Sequence, residues 1–500
     1  MSSHPAQRYV LAIDQGTTGS TALVINEQLQ VLGRANHEFT QYFPQPGWVE
    51  HEPTEIISSV ERAVQDALKT AGVDPQQVAA IGVTNQRETI ALWDRSTGEP
   101  LHRAIVWQCR RTSAECGALK EAGHELRVSE LTGLRLDPYF SGTKMTWLLD
   151  HVEGARARAE AGELAFGTMD TMLAWHITGG EVHVTDASNA SRTLLMDLQT
   201  GEWSDELCAL LNVPRVTLPE IRSNSEVYGY TKGFAGLPDG IPLAGLIGDQ
   251  QGALFGQACF NPGEAKCTYG TGAFLLMNTG LEPKRSEAGL LTTVAWRLGE
   301  ETSYALEGSA FIAGAAVQWL RDGLKVIQSA PEIEGLAREV ESSEGVYFVP
   351  ALTGLGAPHW DPEARGLICG LTRGTSVSHL ARATLEGIAH QNAELLEAME
   401  RDSGTALSRL KVDGGASANA LLMQLQADLL GCEIERPVML ETTALGSGLL
   451  AGMAVGIWRG LEGVREAWKR DALFSPQADE ADVEAMKRGW QSAVRRARLS

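Results

Sequence analysis

The chain reads as an α/β protein made of two related halves, and three features predict it. Its 500 residues exceed what one hydrophobic core serves, and ~150 residues per domain suggests about three folding units. A glycine–threonine loop between two apolar runs occurs twice, once in each half. Strand–helix–strand patterns carry polar residues at the carboxyl ends of the strands, where α/β proteins build their sites.

The first loop opens the chain. Residues 9–13 are apolar, Asp14-Gln15-Gly16-Thr17-Thr18-Gly19-Ser20 form a polar tip, and residues 21–25 are apolar again. This is a β-hairpin pattern. Its tip exposes backbone N–H groups and hydroxyls with no bulky side chain in the way, which makes it a phosphate cradle. Residues 30–39 predict a further extended run, and Pro44, Pro46 and Gly47 a loop. Beyond it Ile56, Val60, Ala63, Val64, Ala67 and Leu68 recur at helical spacing, with Pro53 in the first turn and Gly72 at the end. Residues 78–84 read as a buried strand running into Asn85-Gln86-Arg87-Glu88-Thr89.

A helix is expected over 143–150, and loops with short strands over the Pro-, Gly- and Ser-rich stretch 214–242. Residues 243–247 form a strand ending at Gly248-Asp249-Gln250-Gln251, followed by a helix-like run over 252–260. Asn261-Pro262-Gly263 marks the boundary between a first domain, residues 1–260, and a second, residues 261–500. The second restarts with Lys266-Cys267-Thr268-Tyr269-Gly270-Thr271-Gly272 and the apolar run 273–277, a second hairpin with a second cradle. Helices are expected over 308–320, 376–399, 419–430 and 442–457. One cradle per half implies a nucleotide held between two domains of common origin.

Composition removes whole classes of function. A net charge of −21, from 63 acidic against 42 basic residues, argues against a nucleic-acid surface or an anionic membrane surface. The stretch 445–458 is too short and glycine-rich for a bilayer span and predicts a buried helix. Seven cysteines, an odd number with no C-x-x-C spacing, point to free thiols in a reducing, cytoplasmic setting. Residues 1–8 contain no apolar core of a secretory signal, so the sequon Asn189-Ala190-Ser191 carries little weight. The histidines form no metal-ligand pattern.

Five groups of residues carry chemistry, each with an ordinary structural alternative. Asp14 directly precedes the first cradle, where a carboxylate beside phosphate needs a cation between them; it is a candidate to organise Mg2+ through water, or else an ordinary turn residue. Lys411-Val412-Asp413-Gly414-Gly415-Ala416-Ser417-Ala418-Asn419 lets an adenosine lie on bare backbone within reach of Asn419, or else is a tight turn with Ser417 as helix cap. Arg87-Glu88 at a strand's end is a donor–acceptor clamp for neutral hydroxyls, or else a surface ion pair. Asp249, also at a strand's end, is a general base for phosphoryl transfer, or else a helix cap. Trp107 and Phe274 either wall a small apolar slot or belong to the core.

Taken together these residues resemble the FGGY family of carbohydrate kinases over nearly the whole chain, residues 9–458. The resemblance rests on Asp14-Gln15-Gly16-Thr17-Thr18, Asn85-Gln86-Arg87-Glu88-Thr89, Ile105-Val106-Trp107-Gln108-Cys109-Arg110-Arg111-Thr112, Asp137-Pro138-Tyr139-Phe140-Ser141-Gly142-Thr143-Lys144, Gly248-Asp249-Gln250-Gln251, Tyr269-Gly270-Thr271-Gly272 and Val412-Asp413-Gly414-Gly415-Ala416. The first and last of these also occur in the wider actin-like ATPase superfamily. The resemblance implies two RNase H-like domains with a cleft between them. It implies a kinase that uses ATP and Mg2+, and the runs at 85–89 and 107–112 point to glycerol as acceptor and sn-glycerol 3-phosphate as product. By resemblance Arg87, Glu88, Tyr139, Asp249 and Gln250 bind glycerol, and Trp107 and Phe274 pack on its carbons. Thr17, Thr18 and Gly19 contact ATP from the first domain, and Thr271, Gly314, Gln318, Gly415 and Asn419 from the second. Asp249 is the base, and Asp14 and Asp249 serve the metal.

The resemblance also implies a homo-oligomer, a dimer or a tetramer. A related kinase for another polyol or sugar, such as a pentulose, is the alternative, and an actin-like scaffold or nucleotide sensor is the alternative of another class. The hydroxyl clamp argues against the scaffold. Two departures from the family pattern stand out. Thr21 occupies a position where relatives often carry arginine. The loop 228–242 lacks both the glycine–lysine sequence tied to fructose 1,6-bisphosphate inhibition in some relatives and the histidine phosphorylated in others.

Overall fold

The computed structural model describes residues 8–361 and 363–498. The signal-peptide reading of 1–8 therefore falls, apart from Arg8, outside the described residues. In the first half, β1 (Tyr9–Gln15), β2 (Gly19–Asn26) and β3 (Val31–Glu38) form an antiparallel meander, flanked by the short strands β4 (Gln41–Tyr42) and β5 (Glu50–His51) of a side sheet. Helix α1 (Pro53–Ala71) follows, with Pro53 at its start and Gly72 closing it in the left-handed conformation. Its stripe Ile56, Val60, Ala63, Val64, Ala67 and Leu68 is buried, as the spacing predicts. Strands β6 (Val78–Asn85), β7 (Ser225–Tyr230) and β8 (Pro242–Gly248) complete a six-stranded sheet in the order β7-β8-β6-β1-β2-β3. β6 runs parallel to both β1 and β8, so three strands end on the same side, at Gln15, Asn85 and Gly248.

The second half repeats this plan. Strands β9 (Glu264–Tyr269), β10 (Ala273–Gly280), β11 (Leu291–Leu298), β12 (Glu301–Ala310), β13 (Arg409–Asp413), β14 (Ile434–Pro437) and β15 (Arg470–Phe474) form a sheet in the order β11-β12-β10-β9-β13-β14-β15. The antiparallel β12-β10-β9 followed by parallel β13 and β14 matches β3-β2-β1 followed by parallel β6 and β8. This is the repeated RNase H-like architecture the sequence predicts.

Several helices differ from expectation at their ends. α2 (Ser141–His151) covers the predicted 143–150. The run expected at 252–260 is α3 (Asp249–Gly256), beginning three residues earlier. Of the predicted 308–320, residues 308–310 finish β12, and α4 (Gly314–Asp322) starts beyond them. Small residues imitate helical spacing there, but Gly308 is a strand residue pressed against Leu290 and Leu395, where a Cβ would meet side chains at 2.9 and 3.0 Å. α6 (Ala420–Leu430) lies where predicted, and α5 (Val377–Ser403) starts as predicted but runs four residues further than 399. α7 (Thr442–Ala454) is the apolar buried helix, ending a few residues early. Among the described residues no helix is long and apolar enough to cross a membrane. All seven cysteines are free.

One core joins the halves. Val10, Leu23 and Ile247 from the first sheet, Leu276 and Ala305 from the second, Leu254 and Phe255 from α3 and Leu445, Leu449 and Leu450 from α7 form a single apolar cluster. Helices α3 and α7 cross there on glycine: a Cβ at Gly446 would lie 2.0 Å from the Gly252 carbonyl oxygen, and one at Gly256 2.1 Å from that of Thr442. No side chain fits between these backbones.

Candidate active site

Asp14 lies in β1 rather than in the turn, opposite Thr21 of β2 and beside Thr84 of β6. The turn is closed by the Gly16 N–H donating to the Gly19 carbonyl at 2.9 Å, which leaves Thr17 and Thr18 at the tip. The Thr17 hydroxyl accepts a bond from Trp107 Nε1 at 2.9 Å. Thr21 is buried, and its hydroxyl accepts from Asn36 Nδ2 at 2.9 Å. Burial, and after it the carboxylates of Asp249 and Glu441, push the Asp14 carboxyl up to about 7.

The strand ends of β6 and β8 carry the clamp. Arg87 and Glu88 are 3% and 1% exposed, so the pair is not a surface ion pair. Nor is it chiefly a pair: Arg87 Nε stands 3.8 Å from Glu88 but donates through Nη1 and Nη2 to Glu307 of β12 at 2.5 and 2.9 Å. Glu88 takes its own guanidinium from Arg192, Nε to Oε1 at 2.7 Å, and Arg192 Nη2 also reaches Glu307 at 3.1 Å. Two cations and two carboxylates thus seal one another in a buried cluster. Burial alone would raise the Glu307 carboxyl, but Arg192 and Arg87 outweigh it and hold it at about 2. Glu88 adopts φ 59°, a left-handed backbone that non-glycine residues seldom take and that concentrates at functional sites. The Tyr139 hydroxyl is 3.3 Å from Arg87 Nη2, and its ring packs edge-on against Trp107 at 5.7 Å. Trp107 and Phe274 are half-buried and belong to no apolar core cluster.

Asp249 is the open corner of this cluster. Its Oδ1 is 3.2 Å from Arg87 Nε, and its side chain keeps 29% of its exposure. It is the first residue of α3, with Gly248 in the capping position, and the same oxygen accepts the Gln250 N–H at 2.7 Å. Burial raises its pKa, with Arg87 opposing and Glu88 reinforcing. A carboxylate that is partly open, oriented by a guanidinium and made more basic by burial is suited to take a proton from a hydroxyl.

The second half supplies the facing wall. In β9, β10 and β12, Lys266, Leu276 and Glu307 are cross-strand neighbours, and so are Thr268, Phe274 and Ser309. Phe274 therefore shares a face with Lys266 and Glu307. Lys266 is fully buried and donates to Gln250 Oε1 and, at 3.1 Å, to the Thr268 hydroxyl. Burial lowers its pKa, while Asp413 and Asp249 support its charge.

The second cradle is assembled from three segments. The Ala313, Gly314 and Ala315 N–H groups donate to Thr271, Gly270 and Thr271 carbonyls at 2.8 to 3.0 Å. Gly414, at φ 81°, lies against the Tyr269 backbone, where a Cβ would come within 2.5 Å of the carbonyl oxygen. Gly314, Thr271 and Gly415 are thereby grouped, and Gln318 is exposed one turn along α4. Asn419 caps α6 by accepting the Leu422 N–H at 2.9 Å. Ser417 is not that cap; its hydroxyl donates to the Gly414 carbonyl at 2.7 Å.

Among the described residues no group of three or more His, Cys, Asp or Glu is arranged to hold a metal ion. The carboxylates of Asp14 and Asp249 are near enough to repel, a donor set that fits a hard divalent cation bound partly through water. Sequence reasoning missed Glu307, Arg192 and Lys266. Asn189 of the discounted sequon is fully buried in reciprocal amide bonds with Asn85 at 3.1 and 2.9 Å and so is no glycosylation site in the folded chain.

A model of the FGGY family of carbohydrate kinases, N-terminal domain, matches residues 9–256, and one of its C-terminal domain matches residues 265–455. Over 99% of its length the chain is similar, at 61% identity, to the whole of a protein named glycerol kinase from Myxococcus xanthus. It is 57% identical to a glycerol kinase of Deinococcus radiodurans over 100% of this chain and 98% of that one. Its fold matches the crystal structure of Plasmodium falciparum glycerol kinase with ADP at a TM-score of 0.93, with 37% identity and 98% of each chain covered. A gluconate kinase from Lactobacillus acidophilus matches at 0.87 with 20% identity, over 98% of this chain and 97% of that one, a likeness of fold alone.

Proposed function

The chain belongs to the FGGY family of carbohydrate kinases, and we propose that it transfers the γ-phosphoryl group of ATP to glycerol, giving sn-glycerol 3-phosphate and ADP. The observation that carries this reading is Asp249, the partly open carboxylate held 3.2 Å from Arg87 at the edge of a buried charge cluster. A neutral triol offers no charge to grip, so its recognition rests on fixed donors and acceptors, and a site of that kind rejects an analogue lacking a hydroxyl by roughly 10⁴-fold or more. Full-length similarity to glycerol kinases supports the same acceptor.

In this reading Arg87, Glu88, Tyr139 and Gln250 orient the triol, and Trp107 and Phe274 cover its carbons. Asp249 takes the proton of the attacking hydroxyl as the oxygen–phosphorus bond forms and the bond to ADP breaks. Thr17, Thr18 and Gly19 hold phosphate from one side, and Thr271, Gly314, Gln318, Gly415 and Asn419 hold the nucleotide from the other. A bound Mg2+ would spread the charge of the phosphate oxygens, with Asp14 and Asp249 holding it through water. Thr21, tied to Asn36, gives the first cradle no charge. Lys266, bonded to Gln250, is a buried cation on the facing wall that could supply one. Closure of the halves, divided at residues 260 and 261, would exclude water from the transfer. The protein acts in this reading as a cytoplasmic dimer or tetramer.

ADP release measured with glycerol, xylulose, gluconate and dihydroxyacetone tests the assignment. Glycerol is expected to give the highest kcat/KM. A strong preference for a pentulose would replace glycerol as the acceptor, and nucleotide-driven polymerisation without turnover would replace the kinase reading altogether.

A further inference from the structure

The first phosphate loop is fastened from behind by a residue that the reaction above does not use. His51 in β5 is fully buried, edge-on to Phe39 at 4.9 Å. Its Nε2 is 2.7 Å from Gln41 Oε1, and its Nδ1 is 3.3 Å from Gln86 Nε2. Backbone carbonyls pin both glutamines, because a carbonyl only accepts. Gln41 Nε2 donates to the Thr17 carbonyl at 3.0 Å, and the two hydrogens of Gln86 Nε2 are shared among Gln15 Oε1 at 3.2 Å, the Gly16 carbonyl at 3.3 Å and the imidazole, while Gln86 Oε1 accepts from the Thr89 hydroxyl at 2.9 Å. Gln41 therefore presents oxygen to the imidazole and Gln86 presents nitrogen. One tautomer satisfies both, with the proton on Nε2 and Nδ1 bare. Burial lowers the His51 pKa to about 4, so the ring stays neutral in that form.

From Gln86 a second arm runs to the acceptor pocket. The Thr89 hydroxyl accepts the Trp107 backbone N–H at 3.1 Å, and Trp107 Nε1 donates to the Thr17 hydroxyl at 2.9 Å. Thr17 is thus held at its carbonyl through His51 and Gln41 and at its hydroxyl through Trp107. Both arms meet at Gln86.

We propose that His51 is a positioning residue that keeps the first phosphate loop in register with the Trp107 wall of the acceptor pocket, so that phosphoryl donor and hydroxyl acceptor are aligned together. The proposal rests on the kinase reading above. Misplacing a reacting group by about 1 Å costs roughly 10²-fold in rate, so a loop-registering bond acts on kcat more than on acceptor binding.

The test uses full-length His51→Leu, Gln41→Leu, the double variant and His51→Gln, with thermal midpoint, kcat and both KM values measured for each. Each leucine variant is expected to lower kcat by roughly 10- to 100-fold while KM for glycerol stays within about threefold. Because the two residues act in series, the double variant should be no slower than the slower single. His51→Gln keeps an N–H for Gln41 and should recover most of the loss. A folded His51→Leu protein with kcat within about twofold of the parent, losses that multiply in the double variant, or a glutamine variant as slow as the leucine one would each overturn the proposal. If His51→Leu does not fold, Gln41→Leu on the half-buried β4 decides alone: a kcat loss supports the proposal and none refutes it. A parent protein inactive on glycerol would instead defeat the kinase reading.

Discussion

Arg87, just beyond β6 of the first sheet, and Glu307, in β12 of the second, form a two-pronged ion pair across the halves at 2.5 and 2.9 Å. Both side chains are almost wholly buried. The Arg87 guanidinium is therefore set by a carboxylate 220 residues away, and Arg192 braces the same carboxylate. Removing one partner of a buried pair costs about 3–5 kcal/mol, because the remaining charge is left without compensation. Glu307→Gln keeps the shape and removes the charge. It should lower stability in urea unfolding and raise KM for glycerol by about tenfold or more, since every 1.4 kcal/mol lost in aiming Arg87 is a factor of ten. Parent-like stability and KM would mean that the cluster is held by shape alone.

Asp249→Asn isolates proton transfer from binding. The amide keeps the size of the side chain and can still meet a hydroxyl, so glycerol affinity measured by calorimetry should change little. Turnover should fall roughly 10²- to 10⁴-fold, the usual worth of a positioned general base. Near-normal turnover would remove Asp249 from that role.

The motifs at the strand ends were legible in the sequence because a polar run after a buried strand is a local pattern. Arg87 and Asp249 were found that way. Glu307 was not, because it sits in mid-strand, and nothing local separates it from any half-exposed glutamate. Lys266 lay inside the quoted hairpin, yet its direction depends on the register that pairs it with Leu276 and sets Glu307 on the same face. The doubled hairpin disclosed the repeated sheet order, and Asn261-Pro262-Gly263 marked a division near residue 260. The shared core of α3 and α7 crosses that division, and its close glycine contacts become visible only when the two helices are brought together.

That crossing makes Gly446→Ala a sharp probe. The added Cβ would lie 2.0 Å from the Gly252 carbonyl oxygen, so the helices must part. Overpacking of this kind costs about 1–3 kcal/mol. A lower thermal midpoint and a reduced kcat are expected together, because the same contact joins the two halves whose closure the proposed reaction needs. Gly335→Ala, in the short helix Glu332–Ala337, is the control, since its Cβ would meet nothing within 4 Å beyond that helix's own backbone and the residue is exposed; it should be neutral or slightly stabilising. Equal behaviour of the two variants would deny the crossing any special role.

Buried histidines weaken the fold as the pH falls. Burial lowers His51 and His183 to about 4 and His390 to about 3. Unfolded, each takes a proton near pH 6.5, whereas the folded ring refuses it, so the unfolded chain binds more protons below that pH. Stability from these groups is complete above about pH 6.5 and is lost as pH falls toward 3 to 4, by about 2 kcal/mol per histidine at pH 5. Asp170, pushed up to about 7 by burial and by Asp186, acts in the opposite direction, so the parent's profile alone is ambiguous. A difference between variants isolates one histidine. His390 stacks on Trp490 at 5.0 Å and its Nε2 has no hydrogen-bond partner, so His390→Phe preserves the stacking without orphaning a partner at Nε2. Urea unfolding at pH 7.5 and 5 should show the variant gaining about 2 kcal/mol relative to the parent at the lower pH. A stability difference that does not change with pH would mean that His390 keeps its ordinary pKa inside the fold.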